Sequence, residues 1–351
     1  MSLILLTTSC SNLLPNKYYV VPNEKHKITT NTISWAQFKT MASRDDFSGY
    51  FDFSPGLYSL ATPLIIKGSG RVTLVAHNDS VFVGDYSGGK VKNSSGIILK
   101  RGNVDFYNFT FKNSSNCIRG YKNTTLDNIY ITNLKAQNIH SCILIERHSN
   151  VTALNWNISN LHITDYYRVG IRISGHNTSK FKLSNFFING QRTHKKNSHC
   201  YKGGIQILEG AHDITIQSGK IINNVGSCGK GYQQGDAIEA DNKQGVPYNL
   251  WLSDLVLSNS GDSNLDLKAN NVLMVNIESK STGNTRFAYK LWSYDDYTCS
   301  SCNAIGNFYA YITLNSAEAV FSKFKTNSSD KEISNLLLTT ISNKASFLTL
   351  D

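Results

Sequence analysis

The chain of 351 residues, 40% of them hydrophobic, can bury a sizeable core in one large β domain or in two average domains. Its 5 prolines, its many Asn and Ser residues and its plentiful Ile, Tyr, Phe, Val and Thr indicate an all-β protein with many turns. The formal net charge of +10 predicts attraction to polyanions. The sequence has no Lys/Arg-rich run or recognition helix, which argues against nucleic acid. Two interpretations of the charge remain: the protein binds an acidic polysaccharide, or its basic surface has no charged partner.

The N-terminal segment, residues 1–16, has features of an incomplete export signal. Residues 3–6 are apolar but too few to span a membrane, and no basic residue precedes them. Residues 7–10 resemble the end of a bacterial lipoprotein signal. We therefore expect a protein that is secreted or held in the cell envelope, with Cys10 as the candidate site of a lipid anchor. No other segment is apolar enough to cross a bilayer.

An N-terminal cap is predicted at about residues 17–70. Trp35, Phe38 and Met41 fall at helical spacing, and Ser34 precedes them as a candidate N-cap. We expect a short amphipathic helix that covers the open end of a β stack. Short strands broken by turns follow it.

A long repeat begins at about residue 96. Eight segments, each centred on one large apolar residue, recur at intervals of 21 to 34 residues. The central residues are Ile97, Ile118, Ile143, Ile171, Ile205, Ile238, Leu265 and Tyr289. Between them lie phrases that alternate apolar and polar residues and end in or near Asn, which tolerates left-handed backbone and can bond its copy in the next coil.

This pattern predicts a parallel β solenoid within residues 17–351, with coils at about 71–325 and a C-terminal cap at about 326–351. A β-sandwich is the alternative fold, but it would not keep one register across seven intervals. The many N-x-S/T sequons are expected to follow from the use of Asn in turns more than from glycosylation.

The chain has seven cysteines, so one is unpaired if the others form disulfides, and Cys10 is the natural odd one. The remaining six form three candidate pairs: Cys117 with Cys142, Cys200 with Cys228, and Cys299 with Cys302. Three disulfides in an exported protein is one interpretation. Buried thiols at the first pair are the alternative, and the CxxC at the last pair is a weak signal for zinc or redox chemistry.

The residue after each central apolar position forms a second column that should point outward, because side chains alternate along a strand. This outward column is Arg119, Leu144, Arg172, Gln206, Glu239, Asp266 and Lys290. Coils stack about 4.8 Å apart, so the last three side chains should be near neighbours.

Asp236 and Asp262 lie at the turns that lead into the same strands as Glu239 and Asp266. Four carboxylates on one small surface repel one another unless a cation or basic groups compensate them. Oxygen-rich clusters of this kind suit Ca²⁺. A ladder of salt bridges between coils, without any metal, is the alternative.

Lys290 is the candidate base beside these carboxylates. Removal of the C5 proton of a uronate needs the substrate carboxylate to be neutralised, by Ca²⁺ or by arginine, and a base that is partly neutral. Lysine meets this condition if nearby cations or desolvation lower its pKa, and Lys268 and Arg286 are the expected neighbouring cations.

The segments GDAIEAD, GDSNLDLK and FAYKLW together resemble the pectate lyases of polysaccharide lyase family nine. The resemblance covers roughly residues 200–315. It implies a single-stranded right-handed parallel β-helix, Asp236, Asp262 and Asp266 as Ca²⁺ ligands, and Lys290 as the Brønsted base. Where the family has a second aspartate in its paired motif, this chain has Ser263, and Glu239 is the expected compensating ligand.

Substrate contacts are expected from Arg172, Lys268, Arg286 and Trp292, since arginine can hold carboxylates bidentately and aromatic rings can pack against sugars. Two long insertions before the site, at 190–203 and 225–235, are predicted to form loops. The basic residues Arg192, Lys195 and Lys196 and the aromatic Tyr232 lie within them. Ordinary solvation or packing is the alternative for each of these residues.

The sequence therefore predicts a monomeric, Ca²⁺-dependent lyase of an acidic polysaccharide. A β-helix glycoside hydrolase is one alternative, because Asp262 and Asp266 could serve as its catalytic carboxylates. A non-catalytic polysaccharide-binding protein or adhesin is the other alternative, since a fold does not fix a function.

Overall fold

The computed structural model describes residues 17–22, 31–87, 95–146, 150–190, 201–227, 233–283, 285–292, 296–315, 317–326, 332–339 and 346–348. Outside the described residues lie the segment with the export-signal features, Cys10, the Cys200–Cys228 pair, and Arg192, Lys195, Lys196 and Tyr232 of the two insertions.

Left-handed residues recur every five positions along the coils and divide them into short straight strands. In one coil they are Asn128, Asn133 and Asn138, with φ of 57°, 58° and 49°. Asn is favoured there because it tolerates this conformation better than most residues do. Its side-chain amide then bonds the equivalent Asn of the coil before, as in the 2.9 Å bond from Asn133 Nδ2 to Asn108 Oδ1. These Asn ladders fix the corners of the stack.

The strands have the following bounds. The first eleven are β1 (Lys17–Val21), β2 (Thr32–Ser34), β3 (Gly49–Phe53), β4 (Gly56–Ser59), β5 (Leu64–Ile66), β6 (Val72–Ala76), β7 (Ser80–Val83), β8 (Ile97–Leu99), β9 (Val104–Tyr107), β10 (Thr110–Lys112) and β11 (Ile118–Gly120). The next eight are β12 (Thr125–Leu144), β13 (Thr152–Ser174), β14 (Thr178–Asn189), β15 (Gly203–Leu208), β16 (His212–Ile222), β17 (Gly226–Ser227), β18 (Gln233–Gln234) and β19 (Asp236–Asp241). The last nine are β20 (Tyr248–Ser258), β21 (Ser263–Leu267), β22 (Asn270–Ser281), β23 (Phe287–Trp292), β24 (Tyr297–Gly306), β25 (Ala310–Asn315), β26 (Glu318–Thr326), β27 (Glu332–Thr339) and β28 (Ser346–Leu348).

Parallel pairing between successive coils makes the chain a parallel β-helix, as the repeat predicts. One face, here called the site face, consists of β5, β8, β11, the C-terminal ends of β12 and β13, and then β15, β19, β21, β23 and β25. The eight central apolar residues of the repeat pair with one another in unbroken register along it. All eight are completely buried, so this column is the spine of the core.

The N-terminal end of the stack is covered by the predicted helix, α1 (Trp35–Ala42). Ser34 is its N-cap, and the side chains of Ser34 and Gln37 bond each other's backbone in a capping box. Trp35 and Phe38 are buried against the aromatic rings of the first coils, including Phe53. The helix therefore closes the open end of the core, and among the described residues no helix is long enough to cross a membrane.

At the other end the parallel pairing stops. β27 pairs antiparallel with β26, and β28 pairs antiparallel with β25. These two strands therefore occupy the exposed edge of the last coil, where a further parallel strand could otherwise add.

Two disulfides lie among the described residues. Cys117 is bonded to Cys142 in the adjacent coil, which confirms this predicted pair over the buried-thiol alternative. Cys299 is bonded to Cys302, and both are buried within β24. Both cysteines of the CxxC thus lie in the core, away from solvent.

Candidate functional site

The outward column of the site face brings the predicted acidic and basic residues together. Strand register places Glu239 beside Asp266 and Asp266 beside Lys290. The column is more sheltered than alternation alone predicts, because Asp266 is only 8% exposed and Lys290 is half-buried. The charged groups thus face a recess.

Lys290 is the centre of the charge network. Its Nζ lies 3.0 Å from Asp262 Oδ2 and 2.9 Å from Asp266 Oδ2. Arg286 Nη1 donates to the other oxygen of Asp262 at 3.0 Å, and Trp292 Nε1 donates to the other oxygen of Asp266 at 2.6 Å. Every oxygen of these two carboxylates therefore accepts at least one hydrogen bond.

Three carboxylates form the tightest acidic group of the site. Oxygen atoms of Asp236, Asp262 and Asp266 lie within 4.8 Å of one another. Asp262 and Asp266 are buried, and Asp236 is partly buried. Asp236 Oδ1 also accepts the backbone N–H of Ser263 at 2.9 Å. Ser263, in the place of the family's second aspartate, is fully buried and its hydroxyl lies 3.5 Å from Asp262 Oδ2.

This donor set fits a hard divalent cation. Asp236 from one coil and Asp262 and Asp266 from the next bring carboxylate oxygens within 4.8 Å of one another, a spacing that one oxygen-ligated cation can bridge. Burial, reinforced by the charges of Asp266, Glu239 and Asp262, raises the pKa of Asp236 well above its usual range. A cation between these groups would remove that penalty.

The surroundings of Lys290 differ from the expectation that nearby cations lower its pKa. Burial alone would lower it, but the two carboxylates Asp266 and Asp262 and their hydrogen bonds outweigh burial, so the pKa of Lys290 is raised. Each expected neighbouring cation is itself paired with a carboxylate: Arg286 bonds the other oxygen of Asp262, and Lys268 Nζ lies 3.3 Å from Asp241. A neutral Lys290 therefore requires that the two carboxylates be neutralised by something else.

Glu239 lies in the same recess but outside the group of three carboxylates. Gln206 Nε2 donates to its Oε2 at 2.8 Å, while Gln206 Oε1 accepts from Arg172 Nε at 3.2 Å and from an Arg172 terminal nitrogen at 2.9 Å. Burial and the nearby charge of Asp266 raise the pKa of Glu239. Arg172 is thus linked to Glu239 through one amide, and both remain beside the recess.

The remaining predicted contacts also reach the site. The recess has a volume of about 430 Å³ and is lined by Arg172, Lys268, Lys290 and all four predicted acidic ligands. Lys290 and Lys268 lie 5.1 and 5.2 Å from the centre of a Trp292 ring. Trp292 therefore lies beside these ammonium groups and bonds Asp266, but neither Trp292 nor Arg286 lines the recess itself.

Sequence reasoning missed several residues that line the recess: Arg168, Tyr201, Gln206, Gln234, Asp241 and Lys243. Gln206 and Asp241 could have been predicted from the sequence, since Gln206 belongs to the outward column and Asp241 ends the GDAIEAD segment. Arg168 and Lys243 lie in parts of their coils that carry no repeated signal. Tyr201 lies within the 190–203 insertion and is 63% exposed.

No protein-family model matches this chain, and no curated protein matches it. Solved structures do. A pectate lyase matches with a TM-score of 0.50 and 13% identity, over 86% of this chain and 78% of its own. A periplasmic alginate epimerase matches with a TM-score of 0.48 and 11% identity, over 74% and 72% of the two chains. An exopolygalacturonase from Thermotoga maritima matches with a TM-score of 0.39 and 12% identity, over 86% of each chain. At such identities the likeness to the pectate lyase establishes the parallel β-helix and nothing about activity.

Proposed function

We propose that this protein is a lyase that cleaves a uronate-containing acidic polysaccharide by β-elimination. The observation that carries the proposal is the pairing of Lys290 with Asp262 and Asp266 inside a recess on the site face. A single lysine, held by hydrogen bonds at a cluster of carboxylates, combines a candidate base with a candidate cation site. The fold that the chain shares with a pectate lyase is consistent with this activity.

The reaction assigns one role to Lys290. Its neutral amine removes the proton from C5 of a uronate, the electron pair of that C–H bond forms the C4–C5 double bond, and the C4–O bond breaks. The leaving oxygen takes up a proton, and the new non-reducing end carries an unsaturated uronate. Lys290 Nζ donates hydrogen bonds to Asp262 and Asp266, so the proposed base lies next to the proposed Ca²⁺ ligands.

Asp236, Asp262 and Asp266 are the proposed Ca²⁺ ligands, with Glu239 beside them. A bound Ca²⁺ would neutralise the substrate carboxylate and thereby favour the loss of the C5 proton. Neutralisation of Asp262 and Asp266 would also weaken the two interactions that raise the pKa of Lys290. The same carboxylates therefore control both the acidity of the substrate and the basicity of the lysine.

The positively charged side chains of the recess are the proposed substrate contacts. Arg172 and Lys268 line it, and Arg286 is held at its edge by the ion pair with Asp262. These groups can pair with uronate carboxylates next to the cleaved bond. Trp292 can pack against a sugar ring while its indole N–H remains on Asp266. We further propose that the protein acts as a monomer outside the cytoplasm, where such polymers occur.

The alternatives predict different products from the same assay. Polygalacturonate and alginate are incubated with the protein, and the ultraviolet absorbance of the C4–C5 double bond is followed with and without a calcium chelator. The proposal expects absorbance that rises with one polymer and stops with chelator. Chain cleavage without that absorbance would indicate a hydrolase, and binding without cleavage would indicate a non-catalytic protein.

A further inference from the structure

A second concave surface on the site face contains an unusual excess of positive charge. This basic pocket has a volume of about 610 Å³ and is lined by Lys67, Lys100, Tyr121, Lys122 and Asp45, with further backbone and small side chains. Asp45 is the only acidic residue in its lining. Three ammonium groups around one cavity repel one another unless an anion lies among them.

The three lysines have no carboxylate partner within the described part of the chain. No carboxylate there lies within 4.0 Å of the Nζ of Lys67, Lys100 or Lys122. Lys100 Nζ instead lies 4.1 Å from the centre of the Tyr121 ring. The ring orders the ammonium by a cation–π contact without cancelling its charge. The positive charge of the pocket is thus available to a ligand.

A buried arginine next to the pocket adds to this charge. Arg101 is only 5% exposed, and its Nη1 donates to the carbonyl oxygens of Phe47 and Lys67 at 2.8 and 3.2 Å. Its Nη2 has no hydrogen-bond partner, and no carboxylate compensates the guanidinium among the described residues. Gly68, with φ of +101°, allows this approach, since a Cβ there would lie 2.8 Å from Nη1. A buried guanidinium without a carboxylate partner therefore lies next to a pocket whose three lysines also have none among the described residues.

The position of the pocket relates it to the candidate active site. Lys100 follows β8 and Tyr121 follows β11, so both lie at the carboxyl ends of site-face strands. Five coil spacings separate Arg119 on β11 from Asp266 on β21, which is about 24 Å. Within that span the outward column carries Arg119 and Arg172. A polyanion that follows the site face from Lys290 therefore passes Arg172, which is only 5% exposed, and Arg119, whose Nε lies 2.9 Å from Glu146 Oε1, before it reaches the basic pocket.

We propose that the basic pocket is an accessory binding site for the carboxylates of the same polyuronate chain that is cleaved at Lys290. This inference rests on the proposed function, which supplies the polymer and its direction along the face. The accessory site contributes affinity only when the polymer is long enough to reach both positions. Short fragments occupy the recess alone.

The test measures binding, separately from cleavage, in a Lys290→Ala background. Affinities for polygalacturonate and for trigalacturonate are compared before and after the changes Lys100→Gln and Lys122→Gln. Loss of these two ion-pairing positions should weaken binding of the polymer by about fivefold and leave binding of the trimer unchanged. Lys182→Gln with Lys220→Gln is the matched control, since it removes the same charge from exposed positions on β14 and β16.

The outcomes separate this inference from the proposed function. Three results would each overturn the accessory site. The control and pocket variants could lose polymer affinity equally, or the pocket variants could keep their affinity for the polymer. The pocket could also bind an oligonucleotide in preference to the polyuronate. If the unmodified protein cleaves no uronate polymer but the pocket variants still lose polymer affinity, the proposed function fails and the accessory site stands. If the unmodified protein cleaves a uronate polymer but the pocket variants bind that polymer normally, the accessory site fails and the proposed function stands.

Discussion

The substitution Asp236→Asn tests the candidate Ca²⁺ site with little change of shape. Asp236 lies within 4.8 Å of two other carboxylates and accepts the N–H of Ser263 through Oδ1. The asparagine side chain retains an oxygen for that hydrogen bond but loses the charge. We therefore expect the local backbone to persist while the affinity for Ca²⁺ falls.

The expected stabilisation of the unmodified protein follows from mass action. An ion that binds only the folded state at 100 times its Kd stabilises that state by about 2.7 kcal/mol. Unfolding entropies of about 2.1 cal/mol/K per residue, for a chain of 351 residues, convert this free energy into a rise in Tm of about 4 °C. Asp236→Asn should lose most of this rise at the same Ca²⁺ concentration.

The variant also has an expected behaviour in chelator. Because the pKa of Asp236 is raised in the folded protein, its ionised form costs stability, and this cost grows as the pH rises through the folded-state pKa. An uncharged asparagine avoids that cost, so the variant without Ca²⁺ should melt at the same temperature as the unmodified protein or higher.

Differential scanning calorimetry across a Ca²⁺ titration gives both quantities. Asp241→Asn is the matched control, since Asp241 lines the same recess but does not belong to the group of three carboxylates. It should keep the Ca²⁺-dependent rise. An undiminished rise in Asp236→Asn, or the same loss in both variants, would refute the assignment of the ligands.

Two further predictions concern a site contact and the fold. Trp292→Phe keeps an aromatic ring but removes the indole N–H from Asp266. Since hydrogen bonds to charged groups contribute about 1.5–3 kcal/mol to stability, Tm should fall by about 2–4 °C. Turnover should fall about tenfold, the effect of about 1.4 kcal/mol in the transition state, and unchanged turnover would exclude this contact from catalysis. Asn133→Gly keeps the left-handed backbone but removes the ladder bond to Asn108, and should cost about 0.5–1.5 kcal/mol in urea unfolding. Asn160→Gly is its control, because Asn160 has the same backbone conformation without a side-chain ladder bond; equal losses at both positions would show that the ladder does not stabilise the stack.

The repeat in the sequence was sufficient to predict the fold and much of the register. The eight central residues, from Ile97 to Tyr289, pair as the alignment of segments predicts, because a solenoid repeats one hydrophobic requirement in every coil. The capping helix was predictable from Ser34 and the spacing of Trp35 and Phe38. Each of these signals is local or periodic.

Contacts between side chains of different coils were harder to predict. The outward column shows that Lys290 and Asp266 are neighbours, but not that Lys290 also reaches Asp262 or that Gln206 ties Glu239 to Arg172. Those contacts depend on side-chain conformations, which a repeat does not determine. The basic pocket was not predicted either, because its lysines stand at the ends of separate strands and form no run in the sequence.

The central claim is that Lys290 removes the proton in a β-elimination, and the rate of double-bond formation on the preferred uronate polymer tests it most directly. Lys290→Ala is compared with Lys268→Ala, which removes another ammonium of the recess. Since a positioned general base contributes about 10²- to 10⁴-fold, the account predicts a loss of that size in the first variant and a much smaller loss in the second. Double-bond formation by Lys290→Ala at a rate within a few fold of the unmodified protein would contradict the account.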